Sequence, residues 1–395
     1  MTRRTTRILN RDFVLTLSAQ FTVSFVYYIL IPTLPIYLSK IGSTKVEIGI
    51  LIGMLNLSCL VLRPFVGRAL VKVPEVTFMI AGVILFAVAS AGYLFALPFW
   101  PLLAVRMLQG IGLAFFWTAA VTLVANVSPG ARLGQSISYY FMTGNIALVL
   151  APSFGMFLIR SFNFKLLFLF CTGLSLFSLP IITRLTRRQI NPLERLTTTD
   201  GSLLSRKALS PAIVAFMADI VFGALTAFFP LYAVKHGMAN PGIFFGTFAV
   251  TVIVSRALGG RIFDFPNRDS VILPCLTIYI IAMSILFFFK TVPMFLVAAV
   301  IWGVGHAFLF PVLTAYALDL TTGSRGPAMG TFMALDDLGL GLGPVIMGIV
   351  LDLTSYPVMF ICLGSTGLIN LSYFYFFVRE TKKVDMLINE SNLVK

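Results

Sequence analysis

Charge is scarce in this chain, and negative charge is scarcest. Charged residues make up 11% of the 395 positions, with 15 acids against 29 lysines and arginines. Soluble domains carry roughly 25% charged residues. A chain that is 58% hydrophobic cannot hide its apolar surface in one aqueous core, so the class is a polytopic membrane protein. Cysteine is also sparse. Cys59, Cys171, Cys275 and Cys362 lie far apart inside apolar segments, which excludes a close-spaced zinc or redox motif and leaves four small buried hydrophobes. The sequence has no Gly-rich phosphate loop of Walker type, no His-Glu-x-x-His pair and no convincing Ser/His/Asp arrangement. No metal, cofactor or enzymatic centre is therefore expected, and ATP is not the direct energy source within this chain. The net charge of +14 sits in short connectors between apolar runs, which excludes a nucleic-acid-binding face.

What is present is a series of apolar runs, each about 20 residues or longer and so long enough to cross a bilayer. Six fall at about 13–38, 46–66, 76–97, 99–125, 135–159 and 166–184, and six more near 211–234, 242–262, 270–290, 293–318, 328–351 and 357–378. The first is too long for a signal-peptide core and reads as a retained helix. The expected organisation is a six-helix bundle over 1–184, a cytoplasmic linker over 185–210, a second six-helix bundle over 211–380, and a tail over 381–395. With both termini cytoplasmic, 22 of the 29 lysines and arginines fall on the cytoplasmic side and six on the other, with Arg106 inside a span. That asymmetry puts the termini and the linker inside.

The two sets of six are related in sequence. Pro35-Ile36-Tyr37-Leu38-Ser39-Lys40-Ile41-Gly42 recurs as Pro230-Leu231-Tyr232-Ala233-Val234-Lys235-His236-Gly237, 195 residues later. At an offset of 193, Gly53 meets Gly246, Arg63 meets Arg256, Gly67 meets Gly260, Arg68 meets Arg261, Gly110 meets Gly303 and Gly155 meets Gly348. Six is even, so both halves begin on the same side, and the repeat is a parallel one about the membrane normal. Pro35 and Pro230 each close an apolar segment before a polar turn and are expected to hinge an outer gate.

These motifs resemble the major facilitator superfamily over essentially the whole chain. Arg63-Pro64-Phe65-Val66-Gly67-Arg68 looks like that family's loop between helices 2 and 3, with Val71 where an aspartate is usual; Gly260-Arg261-Ile262-Phe263-Asp264 keeps the acid. Arg106-Met107-Leu108-Gln109-Gly110 is similar to the fourth-helix motif of drug:proton antiporters and related exporters. Ala151-Pro152-Ser153-Phe154-Gly155 is a degenerate form of the fifth-helix antiporter motif, and Gly339-Leu340-Gly341-Leu342-Gly343-Pro344 is a fuller run in helix 11. The resemblance implies an all-α membrane fold of twelve helices in two pseudo-symmetric bundles that rock about a midplane cavity. Bottom-up, the closely spaced glycines let helices approach, while Pro152 and Pro344 permit bending.

A charge inside a span usually faces a cavity or pathway. Asp336 and Asp337 lie roughly 13 Å into helix 11 at 1.5 Å per residue, and neighbouring positions point about 100° apart on a helix. Two adjacent carboxylates in low dielectric repel, an arrangement suited to a proton carrier. Asp219 lies at similar depth in helix 7. Arg106 keeps its charge and suits an anionic group or the tuning of a carboxylate, with Gln109 continuing its face. His306, one turn after Trp302, is the one mid-span histidine. Gln20, Tyr27, Tyr28, Tyr139, Tyr140, Asn145 and Tyr316 are candidate cavity walls.

The expectation is a monomeric, multi-pass secondary transporter of the inner (cell) membrane that exports a small organic molecule by proton antiport. Proton, substrate and lipid are its only partners. Two alternatives stand beside it: a proton symporter importing a nutrient such as a sugar, organic acid or metal-chelate, and a non-transporting, transporter-like receptor.

Overall fold

The computed structural model describes residues 10–95, 99–129, 132–186, 205–259, 268–320 and 325–379. Twelve helices order the described residues. The first six are α1 (Arg11–Lys40), α2 (Lys45–Ala69), α3 (Glu75–Gly92), α4 (Phe99–Val127), α5 (Leu133–Ser161) and α6 (Phe164–Ile182, broken at Ser178). The second six are α7 (Leu209–Lys235), α8 (Gly242–Leu258), α9 (Asp269–Phe288), α10 (Val292–Asp319), α11 (Arg325–Leu353) and α12 (Tyr356–Tyr373), the last running on into a π turn, Phe374–Val378. Eleven of them are long and apolar enough to span a membrane, and α8, with 17 residues, is the shorter exception.

The ends of these helices follow from local chemistry. The Asn10 side chain accepts from the Phe13 N–H to start α1, and Thr44 with Glu47 closes a capping box on α2. The octapeptide prolines do not end their helices: Pro35 lies inside α1 and Pro230 inside α7. The termini come at the last residue of each copy. Gly42 and Gly237, with φ of 90° and 80°, are the only positive-φ residues among those described. Ser43 N–H donates to the Leu38 carbonyl and Gly42 N–H to that of Ser39; Met238 and Gly237 repeat this onto Ala233 and Val234. Both copies are therefore the same glycine-terminated cap, whose left-handed residue tolerates no side chain cheaply.

Helices α1–α6 pack mainly among themselves and α7–α12 likewise, while α2 lies along α11 and α5 along α8 across the divide. The crossing works because the backbones touch. A Cβ on Gly49 would collide with the Pro344 carbonyl, and one on Gly53 with that of Gly341. On the opposite flank a Cβ on Gly242 would collide with Pro152 and Ser153, and one on Gly246 would crowd the Val149 carbonyl at 3.1 Å. Lipid gives no hydrophobic drive for helix association, so such contact is carried by close packing. At the same end, the Asp352 carboxylate accepts from the Lys45 and Val46 N–H groups, at 3.0 and 3.4 Å, and so caps α2 from the other bundle. The end of the molecule carrying the two glycine turns is closed by these contacts.

The packing corrects one register. Gly155 lies against Ile29 and Thr33 of α1, whereas Gly348 lies against Lys45 and Val46 of α2, so the two glycines are not equivalent. Pro152 and Pro344 hold the matching place, which makes the α5–α11 offset 192.

Gly53→Val is expected to push α2 from α11 and open this end. Cysteines placed at positions 45 and 352, in a chain with its four native cysteines replaced, should cross-link readily with Gly53 intact. In the Gly53→Val variant they should cross-link several-fold more slowly; an unchanged rate refutes the glycine contact as the closing element.

Candidate functional site

Three helices bring the acids together. Gly339 lets α11 approach α7 until its own position meets the Phe216 carbonyl and the Asp219 Cβ. At that contact the carboxyl groups of Asp219 and Asp336 come to lie side by side. Asp337, the next residue, turns toward the other bundle, and Arg63 Nη1 of α2 stands 3.0 Å from its Oδ2. The contact is ionic, since that oxygen receives no aligned hydrogen bond. Arg63 also reaches the Met333 sulfur at 3.6 Å. Asp337 is 1% exposed, Asp219 4%, and one oxygen of Asp219 has no hydrogen-bond partner. The adjacent carboxylates on α11 thus serve different neighbours, one within its bundle and one across the divide.

Arg63 corrects the view that Arg106 is the one arginine within the spans. It lies inside α2, before the end of that helix at Ala69, and its side chain is 20% exposed. Its partner is on the other half of the chain, beyond the reach of any local pattern. Gly67 and Arg68 stand at the exposed end of α2. Gly260, Arg261 and Asp264 lie outside the described residues.

Arg106 is engaged with protein groups. Its Nε donates to the Leu51 carbonyl at 2.7 Å and its Nη2 to that of Ile52 at 3.1 Å. Nη1 donates to Gln109 Oε1 at 2.8 Å, and the Tyr93 hydroxyl donates to the same oxygen at 2.6 Å. Leu51 and Ile52 sit between Gly49 and Gly53, so in this conformation Arg106 and Gln109 brace the stretch of α2 that touches α11. Gly110 helps, because a Cβ there would collide with the Leu55 carbonyl.

His306 lies half-buried on α10. Its Nδ1 pairs with the Tyr279 hydroxyl at 2.8 Å, and its ring packs among Phe222, Phe248, Trp302 and Phe310. Tyr27 packs edge-on against Tyr28 and Trp117. Gln20 accepts from Tyr140 at 2.8 Å and donates to Ser24 at 3.0 Å. Pro152 and Pro344 lie in the interbundle crossings, and Pro35 and Pro230 near the glycine turns. A separate crevice of about 400 Å³ between α5, α8 and α10, walled by Ser153, Thr247, Thr251 and Val300, holds none of the charged residues.

Membrane-spanning helices in two sets, with charges buried between them, define a transporter. The family model described as Major Facilitator Superfamily matches residues 16–273 and 241–390, and the chain belongs to that family. It is 26% identical over 346 residues to the staphylopine export protein of Staphylococcus aureus (strain Mu50), covering 84% of this chain and 87% of the relative. It is 22% identical over 354 residues to the quinolone resistance protein NorA of Staphylococcus aureus (strain MRSA252), covering 85% and 89%. Among solved structures, a POT family transporter in complex with 5-aminolevulinic acid superposes with a TM-score of 0.78 at 12% identity, over 94% of this chain and 96% of that one. A point mutant of the nucleoside transporter NupG gives 0.75 at 12% identity, over 93% and 100%. The protein is a multi-pass membrane transporter of small molecules, and it is not an enzyme.

Removing one partner of a buried ion pair costs about 3–5 kcal/mol, because the other charge is left bare. Asp337→Asn alone should therefore lower the thermal unfolding temperature of the purified protein. Adding Arg63→Gln should restore most of the loss; a double variant no more stable than the single one refutes the pairing.

Proposed function

We propose that the protein exports a small organic molecule in exchange for protons by alternating access, as a monomer with both termini in the cytoplasm. The observation that carries the proton reading is the juxtaposition of two carboxyl groups, Asp219 and Asp336, inside the spans at one helix contact. Two carboxylates side by side in low dielectric repel, so the pair suits a site that takes up a proton. The pair sits at the α7–α11 contact, next to the one ion pair that joins the bundles among the described residues, Arg63–Asp337. Protons arriving at Asp219 and Asp336 act on α11. Neutralising Asp337 removes half of the interbundle attraction and frees α2 to part from α11. Arg106 and Gln109 keep α2 straight as it moves, and the glycine turns mark the outer end. Export is favoured over import by the two relatives, one an export protein and one a resistance protein.

The test uses proteoliposomes with an imposed pH gradient and, as probes, a quinolone and staphylopine, the compounds that the two relatives' names point to. Asp219→Asn and Asp336→Asn should each reduce gradient-driven transport by more than about ten-fold, roughly the scale of losing one essential ionised interaction, while probe binding persists. Full gradient-driven transport in both variants overturns the assignment.

A further inference from the structure

The two interbundle crossings are related by the internal repeat, yet their charges differ. Gly49 and Gly53 of α2 correspond to Gly242 and Gly246 of α8 at an offset of 193, and Pro344 of α11 corresponds to Pro152 of α5 at 192. In the same registers Arg63 corresponds to Arg256, Asp337 to Asn145 and Asp336 to Gly144. Asp219 corresponds to Ser24 in the octapeptide register of 195. One corner of the interface thus holds an arginine with three acids. Among the described residues, the mirror corner holds an arginine with none.

Arg256 is half-buried and gives its Nε to the Ala307 carbonyl at 3.0 Å; its two Nη groups have no hydrogen-bond or ionic partner among the described residues. Asn145, also half-buried, has no hydrogen-bond partner for its amide among them. His306, next to the Ala307 carbonyl that Arg256 holds, is occupied with Tyr279. Gly144 is unlike the crossing glycines. A Cβ there would meet only Gln20 Nε2 at 3.7 Å and Ser24 Oγ at 3.8 Å, so packing does not demand glycine, and space is left beside hydrogen-bonding groups.

We infer that Arg256 and Asn145 receive a carboxylate of the transported molecule, which takes the place that Asp337 holds against Arg63. A guanidinium fork and an amide N–H₂ are matched donors for a planar oxyanion. With the acids of α7 and α11 at the opposite corner, the substrate class is a small molecule carrying a carboxylate at one end and a basic or cationic group at the other. The inference rests on the transporter reading above but not on proton coupling.

The test places a cysteine at Gly144, where a side chain fits, in a chain with its four native cysteines replaced. Its labelling rate is measured in detergent without any gradient, so a failure of proton coupling leaves the result untouched. The probes are anionic 2-sulfonatoethyl and cationic 2-(trimethylammonio)ethyl methanethiosulfonates. A unit positive charge close by favours the anionic reagent about five-fold or more. That preference should fall to near one in Arg256→Gln and survive in Arg256→Lys. Benzoate should slow labelling and benzamide should not; Asn145→Asp, which supplies Arg256 with a carboxylate of its own, should abolish protection by benzoate. An unchanged preference in Arg256→Gln, equal effects of benzoate and benzamide, or no labelling by either reagent overturns the inference.

Discussion

A charge inside a membrane span is tolerable only with a partner, and here the decisive partnership joins the two bundles. Arg63 and Asp337, 3.0 Å apart, sit on helices separated by most of the chain. Their contact exists only while α2 lies along α11. The glycines at 49, 53 and 341 bring those helices to backbone contact, and Arg106 fixes the α2 carbonyls between the first two. The ion pair, the bare-backbone crossing and the brace behind it form one assembly. Disturbing the charge therefore acts on packing, and disturbing the packing acts on the charge.

The arrangement also explains why α11 carries two consecutive acids. Adjacent helical positions point about 100° apart, so Asp336 can serve α7 while Asp337 serves α2. One residue is tied to its own bundle and the other to the opposite one. A proton gained or lost on the first pair changes the field felt by the second across one peptide unit. Under the proposed proton exchange, α11 is the element that would link proton occupancy to bundle contact.

Much of the architecture was legible in the sequence, because apolar run length is dictated by bilayer thickness. The helices exceed the apolar runs by a few residues where polar caps such as Asn10 and Thr44 extend them. The octapeptide repeat was visible, but its meaning was misplaced by one end. Proline was read as the stop, whereas glycine at the last position carries the left-handed backbone that turns the chain. Proline inside a membrane helix is tolerated because neighbouring groups satisfy the freed carbonyl. Arg63 was harder to place, since an arginine near a span's end reads as a cytoplasmic charge. Its acid lies in the other half of the chain, and the partners of Arg106 include backbone carbonyls, which leave no trace in residue identity.

The repeat is most informative where it fails. The repeat gives both crossings the same glycines, prolines and arginine, so their packing is alike. Under the proposed rocking, packing needs are symmetric, whereas the cargo is not. Where Asp337 is matched by Asn145 and Asp219 by Ser24, the arginine that an acid balances in one half stands, among the described residues, without one in the other. A guanidinium with no acid beside it among the described residues is costly in low dielectric, and the proposed substrate carboxylate is the anion that would balance it. On that proposal the ionic corner keeps its counter-charge within the chain, and the mirror corner finds one in the molecule it carries.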